Sequence, residues 1–139
     1  MRVRDLMTPD PKTLSSDASL GDAADLMADL GIRHLPLVDH VDGRDVVAGI
    51  VSDRDLQIAL GPDSGGSGRD PRQASAPVDW FMTEDVTSIG PEASASEACA
   101  LFMERRVGAV PVMEDGRLVG ILSVIDIVRA AGPLLDGAA

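Results

Sequence analysis

The sequence is written twice. Val3-Arg4-Asp5-Leu6-Met7-Thr8 returns as Val78-Asp79-Trp80-Phe81-Met82-Thr83. Without a gap, Ala18-Ser19 then matches Ala93-Ser94, Ala23 matches Ala98, Leu26 matches Leu101, and Pro36 matches Pro111. The first copy carries a few extra residues around His40–Asp45, after which Gly49-Ile50-Val51-Ser52 matches Gly120-Ile121-Leu122-Ser123. Asp55 matches Asp126, and both copies close on Gly-Pro, at Gly61-Pro62 and Gly132-Pro133. An ordered duplication limits the fold strongly. Each copy must be one supersecondary unit, and neither is long enough to bury a core alone.

Within a copy, Thr13-Leu14 and Ser88-Ile89 read as short extended stretches. A helix follows each, opened by Ser19 with Asp22 and by Ser94 with Glu97 in the capping-box spacing. The helical spacing puts Ala23, Ala24, Met27 and Leu30 on one face of the first helix, and Ala98, Cys99 and Phe102 on one face of its counterpart. Strands centred on Pro36 and Pro111 come next, then the hairpin dipeptides Asp42-Gly43 and Asp115-Gly116, then returning strands. A second helix starts after Ser52 and Ser123 and is predicted to stop at Gly-Pro. Each copy is therefore β-α-β-β-α, an α+β fold in which two sheets pack with pseudo-two-fold symmetry and leave a cleft between them. The predicted boundaries are repeat 1 over 1–62, a linker over 63–75, repeat 2 over 76–133 and a frayed tail over 134–139. Residues 63–71 are rich in Gly, Ser and Pro, which describes a flexible linker.

Charge and side-chain chemistry narrow the function classes. A formal net charge of −11 disfavours nucleic acid or an anionic membrane as the main partner. It does not disfavour a small anion held by local donors. One cysteine, Cys99, permits no intrachain disulfide; with no signal-peptide pattern, a reducing cytoplasm is expected. Aromatics make up only 2% of the chain, so the core must be aliphatic, with Met as filler. No nucleophile–base pair, metal cluster or P-loop lysine is present, which argues against an enzyme. His34, His40 and Cys99 lack ligand spacing, so no metal is expected.

The Met-Thr start, the Pro-centred strand and the run Gly-hydrophobic-x-Ser-x-x-Asp, each in duplicate, resemble the CBS (cystathionine β-synthase) domain family. A tandem pair of this kind resembles a stand-alone Bateman module. The resemblance implies a regulatory ligand of the adenosyl class, such as AMP, ADP, ATP or S-adenosylmethionine, bound in the cleft between the repeats. It implies no obligatory cofactor, pairing into a homodimer, and a separate effector protein as the reader of the signal. The family motif falls on Ser52, Arg54 and Asp55, and on Ser123 and Asp126. A serine at a strand-to-helix junction suits a phosphate, and an aspartate one turn on can accept hydrogen bonds from ribose hydroxyls. Thr13 and Ser88 fit the family's additional hydroxyl, the residues around Pro36 and Pro111 would supply apolar contacts and backbone groups for the adenine, and His34 is a further candidate to touch the ligand.

Each feature also has a plainer reading. Ser-x-x-Asp is an ordinary helix cap, His34 an ordinary strand residue, and Cys99 a core thiol. The copies differ where Arg54 faces Ile125, where Arg33-His34 faces Gly108-Ala109, and where Trp80 replaces Asp5. Two unequal sites are expected, with Arg54 serving a phosphate. Apolar residues on the second helices (Leu56, Leu60, Ile127 and Val128) are expected to leave faces for a partner copy. A ligand-free dimerisation module is the alternative.

Overall fold

A computed structural model describes residues 1–61, 70–84 and 87–137. The chain forms two compact units, one of residues 1–11 with 87–139 and one of residues 12–86. These do not coincide with the sequence repeats. The opening residues of each repeat belong to the unit built mainly from the other repeat.

In the unit of residues 12–86, β2 (Leu14–Ser15), β3 (His34–Val41) and β4 (Arg44–Ser52) form a sheet in that order. β2 runs parallel to β3, and β4 antiparallel to it. Thr83 extends the sheet beyond β4 by exchanging both backbone hydrogen bonds with Ile50, at 2.9 and 3.2 Å. The helices α2 (Leu20–Leu30) and α3 (Asp53–Leu60) and the single turn α4 (Pro71–Ala74) complete the unit. Its core joins Leu20, Met27, Leu35, Leu37, Val51 and Leu56 to Val78, which stands in a 3-10 turn over Val78–Trp80.

The other unit repeats this plan. Its sheet is β1 (Thr8–Pro9), β6 (Arg117–Ser123) and β5 (Ala109–Glu114), with Ile89 bridging Val112 in parallel. Around it lie α1 (Val3–Leu6), α5 (Ala95–Arg105) and α6 (Val124–Gly137). Val3 is the counterpart of Val78 and, like it, is wholly buried. The same irregularity recurs too: pairing slips between Leu37 and Val38, and again between Val112 and Met113. Each slip follows closely on the proline of its strand, which cannot donate to a ladder.

Local chemistry accounts for the element ends. Ser19 accepts a hydrogen bond from the Asp22 amide, and Ser94 from the Glu97 amide, which satisfies helix-start N–H groups. The hairpin residues Asp42 and Gly43 have φ of 50° and 76°, and Asp115 and Gly116 have 51° and 78°. Both turns therefore take the primed geometry whose twist matches antiparallel strands.

Several expectations are corrected. Pro71–Ala74, within the expected linker, is a helical turn capped by Asp70; residues 63–69 of that linker lie outside the described residues. α6 passes through Gly132-Pro133 to Gly137, so 134–137 is helix and not tail, while 138–139 is outside the described residues. A proline removes one N–H from the ladder, and the remaining bonds can still carry a helix past it. Gly61, by contrast, has φ 88° and does end α3. Leu30 and Met103 are exposed, not core, and Cys99 is only partly buried. Leu56 and Leu60 are buried inside their unit, so they leave no face to cover. No helix among the described residues is long and apolar enough to cross a membrane.

Candidate functional site

The motif residues gather at one edge of each sheet. In the first unit described, β4 ends at Ser52 and α3 starts at Asp53. His34 pairs opposite Ser52, and Pro36 opposite Ile50. Thr13 immediately precedes Leu14, which lies beside Leu37. The Asp53 amide donates to the Arg33 carbonyl at 2.9 Å, tying the first turn of α3 to the entry of β3. Thr13 and Arg54 are exposed, and His34, Ser52 and Asp55 are half-buried.

The α6 edge is built alike. Ala109 pairs opposite Ser123, and Pro111 opposite Ile121. Ser88 precedes Ile89, which bridges Val112. The Val124 amide donates to the Gly108 carbonyl at 3.0 Å. Ser88 is exposed, and Ser123 and Asp126 are half-buried. Pro36 and Pro111 are fully buried, so their rings belong to the core and a ligand would meet their neighbours.

Ser and Asp satisfy each other at both edges. The Asp55 amide donates to Ser52 Oγ at 3.1 Å, and the Ser52 amide donates to Asp55 Oδ2 at 2.9 Å. At the other edge the Asp126 amide donates to Ser123 Oγ at 3.2 Å, and the Ser123 amide to Asp126 Oδ2 at 2.9 Å. These are complete capping boxes. Each carboxylate engages the backbone through Oδ2, and Asp55 Oδ1 has acceptor capacity left. Asp126 Oδ1 lies 3.6 Å from the Arg129 guanidinium, a contact the sequence reading missed. An Asp and an Arg three apart on a helix was the available signal.

The role of the motif glycines was also missed. A Cβ on Gly49 would stand 2.6 Å from both Met82 Sδ and the Thr83 carbonyl. One on Gly120 would stand 2.4 Å from Met7 Sδ. The glycine makes room for the Met-Thr segment, which explains why both belong to the repeated pattern. Among the described residues no group of His, Cys, Asp and Glu could hold a metal ion.

Comparison with known proteins agrees with this architecture. The CBS domain model matches residues 3–61 and 78–132. The chain belongs to the CBS domain family. Among its curated relatives is the CBS domain-containing protein YhcV of Bacillus subtilis, 29% identical over 125 residues, which are 90% of this chain and 81% of that protein. An A-adding tRNA nucleotidyltransferase of Aquifex aeolicus is 28% identical over 132 residues, 94% of this chain, but the chain spans only 14% of that enzyme. The CBS pair is thus an added part of that enzyme. Among solved structures, the CBS domain pair of protein MJ0100, in complex with 5′-methylthioadenosine and S-adenosyl-L-methionine, superposes with a TM-score of 0.78 at 25% identity, covering 96% of this chain and 98% of that one. CBSX2 in complex with AMP gives 0.71 at 29% identity, covering 96% and 98%.

Proposed function

We propose that this CBS pair is a regulatory module, not an enzyme, that binds an adenosyl ligand of the AMP, ADP, ATP or S-adenosylmethionine class and signals to a separate protein in the cytoplasm. The observation that carries the reading is the twofold recurrence of one arrangement. A serine caps a helix at the end of a strand, and an aspartate one turn on completes the cap through one carboxylate oxygen, Oδ2. Thr13, His34, Ser52, Arg54 and Asp55 would form one site, and Ser88, Ser123 and Asp126 the other, with the neighbours of the buried Pro36 and Pro111 lining them. In this reading Asp55 and Asp126 accept from ribose hydroxyls, and Ser52 and Ser123 face the 5′ substituent. The ligands carried by MJ0100 and CBSX2 support the choice of class.

A thermal-shift panel with AMP, ADP, ATP, S-adenosylmethionine and NAD tests this. A ligand that binds only the native state raises its stability, by about 2.7 kcal/mol at a hundredfold excess over Kd. A rise with at least one adenosyl ligand is expected. No rise with any of them would favour the second reading, a ligand-free dimerisation module. The specific support for that reading is that Ser52 and Asp55, and likewise Ser123 and Asp126, already satisfy one another as caps.

A further inference from the structure

We propose that the two sites divide adenosyl ligands by charge: the α3 edge takes ligands with a phosphate on the ribose, and the α6 edge takes uncharged ones. This rests on the ligand reading above and deepens it. The two edges share their backbone, so the difference lies in the side chains that the backbone presents. Where the α3 edge has Arg33, His34, Asp53 and Arg54, the α6 edge has Gly108, Ala109, Val124 and Ile125. Hydrogen bonds fix the equivalence. Asp53 bonds to Arg33 as Val124 bonds to Gly108, and His34 pairs with Ser52 as Ala109 pairs with Ser123.

The α3 edge therefore sets two guanidiniums against one carboxylate in addition to Asp55. Both arginines are exposed, and neither forms an ion pair among the described residues. In a chain of net charge −11 the long-range field repels a phosphate, so only local donors can hold one. Arginine suits this because its planar fork can meet two phosphate oxygens at once. At the α6 edge the same positions are apolar, with Val124 37% and Ile125 50% exposed. A phosphate brought there would lose hydration and meet the Ser123 hydroxyl but no cation. Arg129 does not replace the missing donors. It lies a turn further along α6 and is paired with Asp126, the carboxylate assigned to the ribose.

Calorimetry on the full chain with AMP and adenosine, which differ only by the phosphate, tests the division. Wild type should show one site that prefers AMP and one that prefers adenosine. The Arg33→Ala/Arg54→Ala double variant should lose about tenfold or more in AMP affinity with adenosine binding unchanged, the size expected for lost charge-assisted hydrogen bonds. Ile125→Arg should raise AMP affinity at the α6 edge. An AMP-to-adenosine ratio that stays at the wild-type value in both variants overturns the division and leaves adenosyl binding standing. A wild type silent toward AMP, adenosine, ATP and S-adenosylmethionine alike overturns the ligand reading, and the division with it.

Discussion

Gly49 and Gly120 hold the motif together by what they lack. Each sits under the sulfur and carbonyl of a Met-Thr segment too closely for a methyl group. Gly49→Ala and Gly120→Ala should each cost about 1–3 kcal/mol through overpacking, read as a lower urea midpoint. The Met side chain can give way, but the Thr83 carbonyl near Gly49 is backbone paired to Ile50 and cannot move without breaking the pair. Gly49→Ala should therefore be the worse of the two, since the Thr8 carbonyl stands 3.1 Å from the corresponding Cβ of Gly120. An unchanged midpoint in Gly49→Ala would contradict the packing role. Ser52→Ala removes a cap, and a loss of about 0.5–2 kcal/mol is expected whether or not a ligand binds there.

At the scale of elements, the equivalent helices α2 and α5 end differently. α2 ends on Gly31 with φ 64°, a conformation free of steric cost for glycine. α5 ends on Arg106 with φ 55°, where a Cβ is strained. Arg106→Gly should raise stability by up to about 1 kcal/mol in urea unfolding, since relieving the left-handed strain outweighs the added chain entropy. A lower midpoint would contradict this. The caps, hairpin turns and strand order were legible in the sequence because each depends on residues a few positions apart. Segment exchange was not legible. Both copies offer the same glycine-backed strand edge, so the pattern alone cannot say whether Met7-Thr8 pairs with β4 or β6. The structure pairs it with β6. Leu56 and Leu60 show the same limit: they look like Ile127 and Val128 in sequence, yet they are buried while Val128 is 58% exposed. Within the candidate site, the duplicated Ser and Asp were legible. The Arg129 contact and the burial of both proline rings depend on packing.

For the whole molecule, the exposed apolar residues of α6 support the expected homodimer as a proposal. Val128, Leu134 and Leu135 lie open on a helix with no fully buried residue. Apolar surface of this kind commonly marks an association site, and a two-fold pairing closes it. Light scattering should give twice the 14.5 kDa chain mass, and Val128→Asp/Leu135→Asp should return it to the monomer with helix content intact. A monomer mass for wild type across a wide concentration range would contradict the dimer. In the proposed function, the duplicated Ser-x-x-Asp turns hold adenosyl ligands as well as capping helices. Calorimetry with AMP and S-adenosylmethionine on wild type and on Asp55→Asn/Asp126→Asn separates the two roles, because the amide keeps an oxygen for the cap and loses the charge. Wild type should bind, and the double variant should lose about tenfold or more in affinity, from removal of charge-assisted bonds to the ribose. Equal affinity and stoichiometry in the two proteins would contradict it.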